Sequence, residues 1–370
     1  MSLSHPTTIS FFCPNQIESN QIYRRVRHNL AKEFASVASG VGFHLHPATF
    51  ARLTDLFLCY AALLQDLEAE VRTAAVSNVA HMTYLGGSDL FMEHIAPRLP
   101  SLAADPVMEV RSKLAQTMMD CLGSDDAEDG LASRPLSDAV ILQVFRPILE
   151  GFLNDEFAEV QLRVLNKLSR VNHLLNKMDV VVEAILIMTK AHNWRVRESV
   201  AFLLPHLADA MGVVFFKEHL VDPWLKLLLD HVSQVRLACV AGMAQLLMVA
   251  GAPWIQREIL PHYRHIYEES SETYLTRITI LRCFVTLSEA QEALSHSLVL
   301  QEEVLSMMLV AVEDPVANVR IVACQGLGTL AKHCEDGIVA TKIRPALEAR
   351  VNDDDEDCRY FAQLAVDSCC

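Results

Sequence analysis

The sequence predicts an all-α fold, a solenoid of about nine antiparallel helix pairs, and three observations support this prediction. The 370 residues include only 13 glycines and 14 prolines, while 51% are hydrophobic and 21% are charged. A β-sandwich or a propeller needs a turn every few residues, whereas this composition suits many short helices with apolar faces. A Val-Arg pair recurs about every 40 residues, and proline and aspartate keep fixed offsets to it. Repeats of this length are typical of stacked helix pairs.

The Val-Arg pair is predicted to mark the start of the second helix in each repeat. Well-preserved copies read EAEVRTAAVSNV, NWRVRESVAFLL and VANVRIVACQGL. The arginine of the pair, called the arginine site below, falls at positions 27, 72, 111, 161 (a glutamine), 197, 236, 277, 320 and 359. One helix pair cannot bury its apolar face alone, so stacking of successive pairs must build the core.

Two other residue types recur at fixed distances before the arginine site. An aspartate lies six positions before it in six copies, at Asp66, Asp105, Asp155, Asp230, Asp314 and Asp353. A proline lies 13 to 16 positions before it in five copies, at Pro97, Pro147, Pro223, Pro261 and Pro345. The proline is expected to kink the first helix, because it cannot donate the i→i−4 hydrogen bond. This register resembles the HEAT repeat, whereas an armadillo unit would show a third helix.

The aspartates and arginines of successive copies are expected to lie on one edge of the stack. We predict that they link neighbouring turns as a ladder of charge-assisted hydrogen bonds. The predicted ladder comprises Asp66, Arg72, Asp105, Arg111, Asp155, Asp230, Arg236, Asp314, Arg320, Asp353 and Arg359. The alternative is solvated surface charge, worth about 0–1 kcal/mol per pair, and six recurrences at one offset favour the ladder.

The repeats divide the chain into three kinds of segment. Residues 1–21 match no repeat and are predicted to be a disordered N-terminus. Residues 22–370 are predicted to form the solenoid. A polar, acidic loop, GSDDAEDGLASRPLSD at 123–138, is predicted to be inserted between two repeats, which explains the long interval from position 111 to position 161.

Charge and cysteine content limit the environment and the partners. The formal net charge of −15 disfavours non-specific binding to nucleic acid or to a membrane. Ten cysteines lie scattered through apolar runs without a C-x-x-C pair, which indicates a reducing compartment. With no signal peptide recognised, we expect a cytoplasmic protein, with the nucleus as a second location.

The uncharged stretch Leu237–Ile255 is long enough to span a membrane, but it is also typical of a helix packed between neighbours.

No catalytic, metal or cofactor motif is recognised. His44 and His46 form an H-x-H pair without a nearby third ligand, and none of the fifteen histidines is followed by glutamate. The acidic run Asp353–Asp357 lacks the spacing and glycine of a calcium loop. Phosphate-binding loops, nucleophile elbows and H-E-x-x-H are absent from the sequence. The prediction is therefore a non-enzyme without cofactor or metal.

Several segments resemble one family, the scaffold (A) subunit of protein phosphatase 2A. They lie at 153–172, 193–216, 228–236, 314–320 and 359–367, and NWRVR, DHV and DPVANVR within them match individual repeats of that family. The resemblance implies a non-catalytic array of HEAT repeats. It also implies that the turns of the last five repeats hold the phosphatase catalytic subunit.

Carried over by the same resemblance, the catalytic-subunit contacts fall on turn residues of the later repeats. They are Trp194, Arg195, Ser233, Tyr274, Leu275, Arg277, Ile278, Val316 and Asn318. Aromatic and arginine anchors in stacked turns make good hot spots. Ser233 stands where the family has an aromatic residue, and Ile278 where it has methionine. The alternative for Trp194 and Tyr274 is that they only cover their helix pairs.

The repeats counted here match the later repeats of that family. A regulatory (B-type) subunit is therefore expected to join weakly or not at all, because it would rest on earlier repeats. The alternative function is a HEAT-repeat adaptor of another pathway, for example nuclear transport. Such an adaptor would share the repeats but should lack NWRVR and DPVANVR at successive-repeat spacing.

Overall fold

The computed structural model describes residues 21–40, 47–122, 136–270, 273–290 and 298–369. Throughout these ranges every regular element is a helix. Residues 1–20 of the predicted N-terminal segment and 123–135 of the predicted loop lie outside the described residues, as do His44 and His46. The chain divides into two compact units, Met1–Ile185 and Leu186–Cys370, which are described separately.

The first unit consists of helices of 3 to 20 residues, several of them adjoined by a π turn or a 3₁₀ segment. Its α-helices are α1 (Gln21–Gly40), α2 (Pro47–Leu63), α3 (Ala69–Val76), α4 (Val79–Leu90), α5 (Leu99–Ala103), α6 (Met108–Asp120), α7 (Asp138–Val140), α8 (Arg146–Leu153) and α9 (Ala158–Leu165). Two π turns, Phe91–Ile95 and Ile141–Phe145, and the 3₁₀ segments Ala96–Arg98 and Leu168–Lys177 complete it. Helix α10 (Asp179–Met188) contains the boundary between the units.

The remaining α-helices belong to the second unit. They are α11 (Trp194–Met211), α12 (Val213–Phe215), α13 (Val221–Leu228), α14 (Ser233–Ala250), α15 (Ala252–Glu258), α16 (Leu260–Glu269), α17 (Tyr274–Glu289), α18 (Leu298–Ala311), α19 (Ala317–Ala331), α20 (Asp336–Ile338), α21 (Arg344–Arg350) and α22 (Glu356–Asp367). Two π turns, Phe216–Leu220 and Val339–Ile343, interrupt first helices of its repeats.

The second helix of each repeat starts where the Val-Arg register predicts. In every copy after the first, that helix begins three residues before the arginine site, as α17 does at Tyr274 before Arg277. Consecutive second helices pack on one another, in the order α1, α3, α6 and α9 in the first unit and α11, α14, α17, α19 and α22 in the second. The predicted all-α solenoid of helix pairs is confirmed.

The recurring proline reshapes the first helix of a repeat rather than ending it. Pro147 and Pro345 each occupy the second residue of an α-helix, and a five-residue π turn directly precedes that helix. Proline has no N–H for the i→i−4 bond, and its ring crowds the preceding turn. A local π turn is one way in which a helix accommodates such a break.

Three glycines with positive φ interrupt α4 or end α11 and α14, which the sequence prediction did not include. Gly87, Gly212 and Gly251 have φ of 64°, 88° and 77°. Each lies 15 residues after an arginine site, at 72, 197 and 236. Because residues with a Cβ rarely adopt this conformation, glycine is the residue that allows the chain to turn into the next helix.

The apolar stretch at Leu237–Ile255 covers most of α14 and continues into α15. Helix α14 is, within the described residues, the one helix long and apolar enough to cross a membrane by length and composition. It packs between α11 and α17 and buries Cys239, Met243 and Leu247. Its apolar character is therefore accounted for by burial against helices on both sides.

A close approach of two second helices makes Gly328 sensitive to substitution. A Cβ added at Gly328 of α19 would lie 2.9 Å from Cβ and 3.2 Å from Cα of Ala365 in α22. We expect Gly328→Val to lower the free energy of unfolding of the second unit by about 2 kcal/mol, because the backbones must separate. Urea denaturation followed by tryptophan fluorescence measures it, since all three tryptophans lie in that unit. Gly337→Val, with open space around the added Cβ, is the control, and an equal loss there would contradict the packing argument.

Candidate protein-binding site

Within the described residues, six arginines at arginine sites form bidentate ion pairs with the aspartate of the following repeat. In each pair Nε donates to Oδ2 at 2.6–2.8 Å and Nη2 donates to Oδ1. The pairs are Arg27–Asp66, Arg72–Asp105, Arg111–Asp155, Arg197–Asp230, Arg277–Asp314 and Arg320–Asp353. No side chain among them is more than 15% exposed. We call this set the arginine–aspartate ladder.

Five of the six ladder arginines, all except Arg27, also hold the turn of their own repeat. Arg320 donates from Nη1 to the backbone oxygen of Asp314, at 2.9 Å, and Arg72 does the same to Asp66 at 2.8 Å. The aspartate side chain accepts a backbone N–H two residues further on, as Asp314 does from Val316 at 2.9 Å. One guanidinium thus satisfies polar groups of two successive turns that would otherwise be buried without partners.

Two arginines of the predicted ladder contact no carboxylate among the described residues. Arg236 donates from Nε to the hydroxyl of Thr279 at 3.3 Å and from Nη1 to the backbone oxygen of Asp230 at 2.8 Å. The residue six positions before the next arginine site is Ser271, so the register supplies no aspartate there. Arg359 lies in the last copy of the repeat and donates to the backbone oxygens of Asp353 and Asp354.

The ladder lowers the pKa of two of its carboxyl groups, those of Asp230 and Asp353. Hydrogen bonds from Arg320 hold the pKa of Asp353 far below its ordinary value, against the opposing effect of burial. For Asp230, burial raises the pKa, but hydrogen bonds from Arg197 and from the Val232 N–H outweigh it, so that the net shift is downward. The same pairing raises the pKa of the Arg111, Arg197 and Arg320 guanidinium groups.

Acid is therefore expected to destabilise the second unit through Asp353. Because its pKa is depressed in the folded state, the pair contributes fully above the unfolded value of about 3.9 and its contribution declines as the pH falls further. Urea denaturation at pH values from neutral to about 3 should show this decline. Asp353→Asn should be less stable at neutral pH and should have a flatter pH profile. An unchanged pH profile in that variant would contradict the assignment.

Trp194 and Arg195 begin α11 at an exposed turn of the second unit. Asn193 caps this helix, its side-chain oxygen accepting the Arg195 N–H at 3.0 Å. The Arg195 guanidinium carbon lies 4.8 Å from the centre of the Trp194 ring, a cation–π arrangement. Trp194 is half-buried and Arg195 is exposed, so that both present side-chain atoms at the surface.

Five of the other predicted contact residues line one groove on the second unit. The groove has a volume of about 420 Å³ and runs across α14, α17 and α19. Its lining includes Ser233, Tyr274, Leu275, Ile278 and Asn318. Tyr274 is 39% exposed and Leu275 is 47% exposed, both at the start of α17. These residues come together because α14, α17 and α19 are consecutive second helices, whose first turns stack side by side.

The structure corrects the prediction for Arg277 and extends the ladder. Arg277 is only 5% exposed and is committed to Asp314, so its guanidinium does not form part of the exposed surface. Val316 is half-buried at the N-cap of α19 and is not part of the groove lining.

Arg27 and Arg197, absent from the predicted ladder, pair with aspartate as the other members do. Their position at arginine sites was the sequence signal that identifies them.

Sequence reasoning also missed Arg236, Leu237, Arg282 and Ile321 as groove residues. Two of them, Leu237 and Ile321, directly follow an arginine site, as Ile278 does. This register position could have identified them. Elsewhere in the described residues, no group of three or more His, Cys, Asp or Glu side chains is placed to hold a metal ion.

Comparison with known proteins supports the repeat type. A family model for the HEAT repeat matches residues 304–334, which include the turn between α18 and α19. No curated protein matches the chain. Similar solved structures include importin beta, with 12% identity and a TM-score of 0.64; the alignment covers 97% of this chain and 45% of importin beta. Kap121p bound to Ste12p is similar with 10% identity and a TM-score of 0.62, and the alignment covers 99% of this chain and 38% of Kap121p. Kap95p, in a study of its binding to RanGDP, is also similar, with 14% identity and a TM-score of 0.60. The alignment covers 99% of this chain and 47% of Kap95p.

These structures share the fold with this chain, and their identities are too low to indicate more. The chain spans less than half the length of each of these three proteins. Together with the stacked second helices, the matches show an α-solenoid fold, and the family model identifies a HEAT repeat at residues 304–334.

Proposed function

We propose that this chain is a non-catalytic scaffold of a protein phosphatase 2A-type serine/threonine phosphatase. It binds the catalytic subunit through turns of the second unit. The proposal is supported by NWRVR and DPVANVR, the segments that resemble the phosphatase scaffold family, and by the exposure of side chains within them. Its principal contacts are Trp194, Arg195, Tyr274, Leu275 and Asn318.

The observation that carries the proposal is a contrast between neighbouring positions in one turn. At the start of α17, Tyr274 and Leu275 are 39% and 47% exposed, while Arg277 is 5% exposed. The ladder accounts for the buried arginine, but the large exposed side chains beside it have no comparable structural role. Exposed aromatic and aliphatic side chains clustered on rigid turns are typical of protein interfaces.

Co-expression with a phosphatase 2A-type catalytic subunit, followed by affinity purification and size exclusion, tests the proposal. We expect a stable complex in which phosphatase activity belongs to the catalytic subunit, and no activity from the purified chain alone. The Trp194→Ala/Arg195→Ala double variant should lose the complex, while Arg163→Ala, an exposed position of the first unit, should keep it. Absence of a complex with the unaltered chain would contradict the proposal.

A nuclear-transport adaptor is the second candidate, because the similar solved structures named above are karyopherins that align with at least 97% of this chain. It makes a different prediction. Such an adaptor would bind Ran in a size-exclusion or pull-down assay and would not retain a phosphatase catalytic subunit.

A further inference from the structure

The groove across α14, α17 and α19 carries a charge opposite to that of the chain as a whole. The chain has 46 acidic and 31 basic residues, counting only Asp, Glu, Lys and Arg. Among the described residues, the groove lining includes two arginines, Arg236 and Arg282, and no aspartate or glutamate. A basic site of this kind on an acidic protein favours a ligand with carboxylates over a cationic one.

Both arginines have hydrogen-bonding capacity to spare. Arg236 uses Nε and Nη1 for Thr279 and for backbone oxygens, and no acceptor for its Nη2 lies among the described residues. Arg282 is exposed on α17 and has no hydrogen bond or ion pair with the described part of the chain. A guanidinium binds a carboxylate best through two parallel N–H groups, which Arg282 can offer, while Arg236 can offer Nη2.

The groove also has an apolar stripe with one residue from each of three successive helices. Leu237, Ile278 and Ile321 each directly follow an arginine site, and all three line the groove. Leu237 is 37% exposed, and the two isoleucines are half-buried. Tyr274 and Leu275 add further exposed apolar surface at one side. A ligand for this surface needs aliphatic side chains next to its carboxylates.

We infer that this groove binds a short acidic amphipathic segment of a protein partner. In the bound state the aliphatic side chains of the segment lie on the apolar stripe, and its carboxylates pair with the Arg282 guanidinium and with Nη2 of Arg236. This is the helix-in-groove mode of recognition, with charge setting the orientation. The inference rests on the proposed protein-binding role of the second unit and names the chemistry of the segment that is bound.

Fluorescence anisotropy with the full chain and a designed probe tests the inference. The probe is a short fluorescein-labelled peptide with leucines on one helical face and glutamates on the other. Two matched peptides accompany it, one with lysine in place of glutamate and one with alanine in place of leucine. We expect only the acidic leucine peptide to bind, with an affinity that falls as salt is added.

Variants of Arg282 separate this site from general charge effects. Arg282→Glu should weaken binding of the acidic peptide by about tenfold or more, whereas Arg282→Lys should retain part of the affinity. Arg282 is exposed, so these changes should leave the fold intact. Arg257→Glu, at an exposed arginine of the same unit that is not among the groove-lining residues, is the control.

Three results would overturn the inference. They are failure of the acidic leucine peptide to bind, equal binding of the lysine or alanine peptide, and an effect of Arg257→Glu as large as that of Arg282→Glu. The assay contains no phosphatase, so its outcome is independent of the co-purification experiment. Either proposal can therefore fail while the other stands.

Discussion

Asp314→Ala is expected to lower the free energy of unfolding of the second unit by about 3 kcal/mol, because it leaves a buried charge without its partner. The side chains of Arg277 and Asp314 are each 6% exposed, and the aspartate also accepts hydrogen bonds from the Tyr267 hydroxyl and the Val316 N–H. The variant would leave the Arg277 guanidinium, the Tyr267 hydroxyl and the Val316 N–H without their acceptor, and the guanidinium cannot lose its charge.

Tryptophan fluorescence during urea denaturation measures this loss in the unit that contains the pair. Asp357→Ala removes an exposed carboxylate from the first turn of α22 and should cost less than about 1 kcal/mol. A double variant, Arg277→Met with Asp314→Leu, should recover much of the stability, because replacing both charges removes the unpaired one. Equal losses from Asp314→Ala and Asp357→Ala would show that the ladder contributes no more than surface charge.

Trp194→Ala is expected to weaken binding of a phosphatase 2A-type catalytic subunit by about 3 kcal/mol, or more than a hundredfold in affinity. The substitution removes the indole itself and the surface on which the Arg195 guanidinium rests at 4.8 Å. Isothermal titration of the purified subunits measures the effect. This prediction rests on the proposed function.

Lys190→Ala provides a matched control, because Lys190 is exposed just before the same turn. It should bind like the unaltered chain. The fluorescence of Trp224 and Trp254, both buried in the same unit, verifies that the Trp194 variant remains folded. Unaltered affinity in a folded Trp194→Ala chain would remove Trp194 from the interface.

The helix register was predictable from the sequence because it depends on a few residue types at fixed offsets. An arginine inside an apolar run stands out, and the arginine site identifies the start of every second helix after α1 to the residue. The prolines likewise predicted an interruption of the first helices. The sequence did not indicate that this interruption takes the form of a π turn, since π, 3₁₀ and kinked α geometries all relieve the same missing N–H.

The candidate site was less predictable, because its side chains belong to separate repeats. Leu237, Ile278 and Ile321 are about 40 residues apart, and only the stacking of α14, α17 and α19 brings them into one groove. Arg277 shows the opposite problem. Its position beside exposed Tyr274 and Leu275 resembles a contact residue, but the same position is an arginine site, and the ladder buries it.

The ladder has a consequence for how such a gene can change over evolutionary time. The paired residues lie between 33 and 44 positions apart, while the Nε–Oδ2 distances stay within 2.6–2.8 Å. A repeat that carries both residues, such as the one with Asp66 and Arg72 or the one with Asp105 and Arg111, offers a donor to the unit that follows and an acceptor to the unit before it. Duplication or deletion of one such unit by unequal recombination therefore leaves the neighbouring ladder guanidinium facing a carboxylate, whereas loss of half a unit does not. Changes in length that respect this period are the ones that selection can retain.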